Sequence, residues 1–131
     1  MKSQSYSNAS AILLLDDEFD IITAFTLVLE DKGFHVFGFT DPVLALNHFQ
    51  MNSEQYRLVI SDIRMPVMNG YEFIKRVKEM KPQVKVFIIS AFEIDDIEFK
   101  RELPFVKIDE IIQKPISLED FTSTVSKHLN N

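Results

Sequence analysis

Five side chains in this 131-residue sequence could do chemistry together: the carboxylates of Asp16, Asp17 and Asp62, the hydroxyl of Ser90 and the ammonium of Lys114. Each follows a short apolar run. Ala11–Leu15 leads into Asp16-Asp17, Leu58–Ser61 into Asp62, Val84–Ile89 into Ser90, and Ile108–Gln113 into Lys114. Three carboxylates gathered at one edge repel one another, and each pKa rises unless a cation neutralises the cluster. A divalent metal is the simplest remedy. Hard oxygen ligands without His or Cys favour magnesium, with manganese as the alternative. Ser90 adds a hydroxyl donor and Lys114 a point charge, so Asp62 faces a set of partners suited to a phosphate. Phosphoryl transfer needs little beyond positioning and charge stabilisation, which makes acceptance of a phosphoryl group by Asp62 the chemistry to expect. Singly these residues are ordinary: an aspartate after a strand can cap a helix, and a lone lysine is normally a solvated charge. The joint placement is what distinguishes them.

That placement requires a particular scaffold. Ala11–Leu15 is continuously apolar rather than alternating, as in a strand covered on both faces of a parallel sheet. Ile21, Ile22, Phe25 and Leu29 recur at helical spacing over Phe19–Asp31, and Gly33 stands where a helix C-cap would sit. His35–Phe39 makes a second strand; Asp41-Pro42 supplies an N-cap and first helical residue for a helix carrying Val43, Leu46 and Phe49. After the strand ending at Asp62, Ile63–Asn69 is a loop and Tyr71–Met80 a helix with Phe73, Ile74 and Val77 inward. Glu93–Arg101 is predicted helical, its acidic start a solvated face. Leu118–Leu129 is predicted to be an amphipathic helix with Leu118, Phe121, Val125 and Leu129 on one side. Five strand–helix units imply right-handed crossovers, a parallel sheet with helices on both faces, and a ligand site at the carboxyl ends of the strands. All five chemical residues fall there.

Composition narrows the class. The length fits one domain, residues 10–131, behind a polar, Ser-rich lead-in at residues 1–9. A formal net charge of −6 disfavours direct nucleic-acid binding, which depends on Lys and Arg neutralising phosphates. No cysteine is present, excluding disulfides and thiolate metal sites and suiting a reducing cytoplasm. The apolar runs are far shorter than the roughly 20 residues of a membrane span, and residues 1–10 lack a signal-peptide core. His35, His48 and His128 lie in different elements without ligand spacing.

The segments Leu14-Leu15-Asp16-Asp17-Glu18, Val59-Ile60-Ser61-Asp62-Ile63-Arg64-Met65-Pro66-Val67-Met68-Asn69-Gly70, Ile88-Ile89-Ser90-Ala91 and Gln113-Lys114-Pro115 resemble, in order, those of the receiver domain of two-component response regulators. The resemblance covers roughly residues 10–130. It implies a flavodoxin-like, doubly wound (βα)5 fold, an α/β architecture with strand order 2-1-3-4-5, similar to stand-alone chemotaxis regulators. It implies that Asp62 is the phosphoacceptor and that Asp16 and Asp17 hold magnesium together with Asp62 and the backbone carbonyl of Arg64. Ser90 and Lys114 are then the groups that bind phosphoryl oxygens, and Lys114-Pro115 corresponds to the family's cis peptide. A sensor histidine kinase or phosphotransfer protein is the implied donor, and an unidentified protein the implied target. Such a module is no enzyme beyond catalysing its own phosphorylation and dephosphorylation.

The sequence also departs from the family. Ile111 stands three residues before Lys114, where Tyr or Phe is usual, and Arg101–Lys107 replaces a short turn before the fifth strand. Arg64 and Phe92, two residues after Asp62 and Ser90, match positions that tune dephosphorylation. Phe92 is expected to shield the phosphoryl group from water. Other readings are a receiver cut from a longer regulator and a phosphatase or phosphotransferase of the haloacid dehalogenase type. The latter resembles Asp-x-Asp after the first strand, where this chain has Asp16-Asp17-Glu18. A flavodoxin-like flavin binder would need a Ser/Thr/Gly-rich phosphate loop after Leu15.

Overall fold

The computed structural model describes residues 10–129, so the lead-in at residues 1–9 lies outside the described residues. The chain runs β1 (Ala11–Leu15), α1 (Phe19–Asp31), β2 (His35–Phe39), α2 (Pro42–Asn52), a 3-10 turn (Ser53–Gln55), β3 (Tyr56–Asp62), α3 (Gly70–Met80), β4 (Lys85–Ser90), α4 (Asp96–Glu102), β5 (Glu110–Gln113) and α5 (Leu118–Leu129). The strands form one parallel sheet in the order β2-β1-β3-β4-β5, as expected.

Alternation along the strands divides the core in two. Leu13, Leu15, Val59, Val86 and Ile88 face Ala45 and Phe49 of α2 and Phe73, Ile74 and Val77 of α3. Ile12, Leu14, Leu58, Ile60, Phe87 and Ile89 face Ile22, Phe25 and Leu29 of α1 and Phe121, Val125 and Leu129 of α5. Both faces are covered, which is why the strands read as unbroken apolar runs. Each fully buried Leu, Ile or Phe contributes roughly 1.5–3 kcal/mol of transfer free energy. On the second face Phe25 and Phe121 stack with centroids 3.9 Å apart, tying α1 to α5.

Local signals fix the element ends. The Gly33 N–H donates to the Glu30 carbonyl and the Phe34 N–H to the Leu29 carbonyl, closing α1 in a Schellman motif with Gly33 at φ +91°. Asp41, Asn69 and Asp95 cap α2, α3 and α4, each side chain accepting backbone N–H bonds. That last cap explains one difference from expectation: α4 begins at Asp96 rather than Glu93. Strand β5 is also shorter than predicted, beginning at Glu110: the Asp109 N–H still donates to the Val86 carbonyl at 2.8 Å, but the Val86 N–H is taken by Asp109 Oδ2 at 2.9 Å and not by a backbone carbonyl. Strand β3 begins earlier, at Tyr56. Leu118 and Val43 are more exposed than their helical periodicity suggested, while Thr122 and Ala45 are buried.

Candidate functional site

The carboxyl ends of β1, β3, β4 and β5 bring the five expected residues to one edge. β1 delivers Asp16, fully buried, and Asp17, exposed; β3 ends on Asp62, nearly buried. One carboxylate oxygen from each of Asp16, Asp17 and Asp62 lies within 4.8 Å of the others. Lys114, just beyond β5, reaches back over the sheet edge. Its Nζ is 2.8 Å from Asp16 Oδ2, 2.8 Å from Glu18 Oε1 and 3.5 Å from Asp62 Oδ2. The Lys114-Pro115 peptide is cis. The Lys114 backbone N–H donates to the Ser90 carbonyl at 2.7 Å, registering the lysine against β4.

Asp16 and Asp62 each have one anchored oxygen and one turned toward Lys114. Asp62 Oδ1 accepts from the Ile63 N–H at 2.7 Å and the Arg64 N–H at 3.4 Å, leaving Oδ2 toward Lys114. Asp16 Oδ1 accepts from the Glu18 N–H at 2.8 Å; its buried Oδ2 has the Lys114 ammonium close by but no aligned hydrogen bond. Burial raises the pKa of Asp16, against the lowering contact with Lys114. Burial and then the charge of Asp16 raise that of Asp62. Burial would lower the Lys114 pKa, but its contacts with Asp16 and Glu18 outweigh that and hold the ammonium charged well above its usual range. A buried, under-coordinated oxygen amid three carboxylates fits a hard divalent cation, which takes oxygen donors.

The loop after Asp62 closes tightly. The Gly70 N–H donates to the Ile63 carbonyl at 2.8 Å, and a Cβ on Gly70 would collide with backbone atoms of Asp62 and Ile63. Within the loop, Val67 adopts φ +74° while the Met68 N–H donates to the Pro66 carbonyl, a three-residue turn that strains a β-branched residue. Across the site, the Arg64 guanidinium lies 5.6 Å from the Phe92 ring centroid, the two side chains bridging the loops after β3 and β4. The Ser90 hydroxyl donates to the Phe92 carbonyl and accepts from its N–H, so it is engaged locally and not with Asp62.

The chain matches a family model, that of the response regulator receiver domain, over residues 12–126. The chain belongs to that family. Among relatives, the receiver is 30% identical over 118 residues to the response regulator receiver protein CpdR of Brucella abortus, covering 90% of this chain and 95% of CpdR. It is 27% identical over 128 residues to the sensor kinase CckA of the same organism, covering 98% of this chain but only 13% of that kinase. Its fold matches the chemotaxis protein CheY4 of Vibrio cholerae with a TM-score of 0.79 at 27% identity, over 93% of this chain and all of CheY4. The receiver is thus a phosphorylation-switched signalling module of the two-component type. Among its described residues no helix is long and apolar enough to cross a membrane.

Two residues of this site carried no assigned role in the sequence. Glu18 pairs with Lys114, and Gly70 permits the loop to close on Asp62. Glu18 had a signal, being a glutamate where a helix start favours Asp, Asn, Ser or Thr. Two of the histidines make internal contacts: His48 Nδ1 is 2.7 Å from the Tyr56 hydroxyl and His128 Nε2 is 2.7 Å from Glu110 Oε2. Ile111 is half exposed on β5, and Phe105 in the atypical Arg101–Lys107 segment is 98% exposed.

Proposed function

We propose that Asp62 accepts a phosphoryl group from a phosphohistidine of a sensor kinase or phosphotransfer protein in the cytoplasm, and that residues 10–131 change affinity for a downstream protein as a result. The observation that carries this reading is the convergence on Asp62 of the Asp16 and Asp17 carboxylates and the Lys114 ammonium from separate strand ends. An oxygen of Asp62 attacks phosphorus in line, the P–N bond breaks, and the imidazole nitrogen keeps the electron pair. The product is an acyl phosphate. Lys114 pairs with one phosphoryl oxygen, and the Ser90 hydroxyl exchanges the Phe92 carbonyl for another. Asp16, Asp17, Asp62 and the Arg64 backbone carbonyl would hold magnesium, or manganese, which when bound neutralises charge on the phosphoryl oxygens. Water later hydrolyses the acyl phosphate and resets the module, so its only catalysis is of its own phosphorylation and dephosphorylation.

The added group brings roughly −1.5 to −2 charges and three acceptor oxygens, enough to bias a two-state element that a partner distinguishes. Incubation with acetyl phosphate, with and without magnesium, followed by intact-mass measurement tests the reading. A magnesium-dependent phosphoryl adduct on the wild type that is missing from Asp62→Ala is expected. No adduct, or one that persists in Asp62→Ala, refutes it.

A further inference from the structure

Helix α1 opens differently from its neighbours. The N-caps of α2, α3 and α4 are Asp41, Asn69 and Asp95, each accepting backbone N–H bonds through its side chain; α1 opens on Glu18, whose side chain makes no capping bond. Glu18 reaches instead to Lys114, 96 residues away in sequence, with Oε1 2.8 Å from Nζ. The consequence shows in the distances around the ammonium. It sits 2.8 Å from Asp16 and from Glu18 but 3.5 Å from Asp62, the carboxylate it must serve. A local capping preference is set aside for a contact at the site, a pattern that proteins show at functional positions.

We propose that Glu18 is a positioning residue that holds Lys114 off Asp62 and thereby biases the switch toward its unphosphorylated form, an inference that rests on Asp62 being the phosphoacceptor. Two differential interactions act in the same direction. When a phosphoryl oxygen draws the ammonium toward Asp62, Glu18 loses its partner; and the Glu18 carboxylate lies near the anion that has been added. Only an interaction that differs between the two forms can shift their ratio, and both of these do. The Glu18 side chain is 60% exposed, so its hold is that of a surface ion pair. Such a pair is worth about a two- to fivefold bias in population and is weakened by salt.

Beryllofluoride, a non-covalent stand-in for the phosphoryl group, provides the test. It is titrated with magnesium present into the wild type, Glu18→Gln, Glu18→Asp and Asp62→Ala, with binding followed by fluorine NMR and stability by thermal melting. Glutamine keeps the length without the charge; aspartate keeps the charge but is one methylene too short to reach Lys114, and it caps α1 better. Glu18→Gln, which loses both interactions, is expected to bind about two- to fivefold more tightly than the wild type at low salt, and Glu18→Asp, which keeps its charge near the anion, to gain less, with both gaps closing near 1 M salt, where screening acts over about 3 Å. Glu18→Asp is also expected to melt higher than Glu18→Gln. A purely structural contact would move the melting temperatures and leave the affinities equal. Wild-type affinity in both variants, or a gain that survives high salt, overturns the role of Glu18 while leaving the phosphoacceptor reading intact. No binding by the wild type, or undiminished binding by Asp62→Ala, overturns that reading and the Glu18 role with it.

Discussion

Gly70→Ala isolates the contribution of one absent methyl group to the placement of Asp62. A Cβ on Gly70 would lie 2.7 Å from the Ile63 Cα and 2.9 Å from the Asp62 carbonyl carbon, and closer still to the Asp62 carbonyl oxygen. These are backbone atoms at the end of a central strand, so neither partner can swing aside as a side chain would. Relief requires the start of α3 or the end of β3 to move by roughly 1 Å, and overpacking of this kind costs about 1–3 kcal/mol. Alanine's better helix propensity returns at most about 1 kcal/mol. The net loss of about 1–2 kcal/mol corresponds to a melting temperature lower by roughly 3–10 °C in a domain of this size. The functional effect is expected to be larger. A 1 Å misplacement of a reacting group can cost about 100-fold, so phosphorylation by acetyl phosphate is expected to slow by about 10- to 100-fold. Gly33→Ala is the matched control, because Gly33 has φ +91° but no atom within 4 Å of the added methyl and lies away from the site. It should lose about 1 kcal/mol to backbone strain and be phosphorylated at the wild-type rate. Thermal melting and timed intact-mass measurements on the two variants decide the matter. If Gly70→Ala melts no lower than Gly33→Ala and is phosphorylated as fast as the wild type, close approach at Gly70 does not position Asp62.

Three further outcomes follow from the site. Asp62→Asn is expected to raise the melting temperature at neutral pH, each kcal/mol of relief giving about 3–5 °C, because the ionised Asp62 is disfavoured by burial and by Asp16. The sign follows from linkage: a carboxyl whose folded pKa is raised destabilises the fold above that pKa, and the penalty lifts as pH falls through it toward the unfolded value. The stability difference between Asp62→Asn and wild type should therefore shrink on acidification, as melting curves at several pH values will show. Val67→Gly removes a β-branched side chain at φ +74° and should raise the melting temperature despite glycine's entropic cost, since such strain is worth about 1–3 kcal/mol. Phe92→Ala, by losing the ring beside Arg64, should speed loss of the phosphoryl group about two- to fivefold in an intact-mass decay assay; slower or equal loss contradicts a shielding role.

The architecture was legible because doubly covered strands announce themselves as unbroken apolar runs, and Asp41-Pro42 and Gly33 mark helix ends by local geometry alone. The site was legible for a related reason: a residue just past such a run must lie at the carboxyl edge, so sequence position becomes spatial position. What escaped the sequence depends on side-chain reach and on contacts made far along the chain. Nothing local to Glu18 reveals that Lys114 will be its partner, and nothing local to Ser90 shows its hydroxyl engaged with Phe92. The start of β5 was misplaced because Asp109 answers to Val86 on another strand. Membership in the receiver family bears out the expected fold and switching class.

The long span between Glu18 and Lys114 has a consequence for how the protein matures. The first two acids of the site are made before four of the five strands, whereas the lysine that joins them comes from beyond the last strand. Contacts so distant in sequence are slow to form, because distant segments must meet before the gain from their pairing is realised. A chain translated only as far as β3 has Asp62 but not the Lys114 ammonium. The proposed phosphoacceptor therefore gains its full set of neighbours only after β5 has been made and the sheet has closed, which ties competence at this site to completion of the fold.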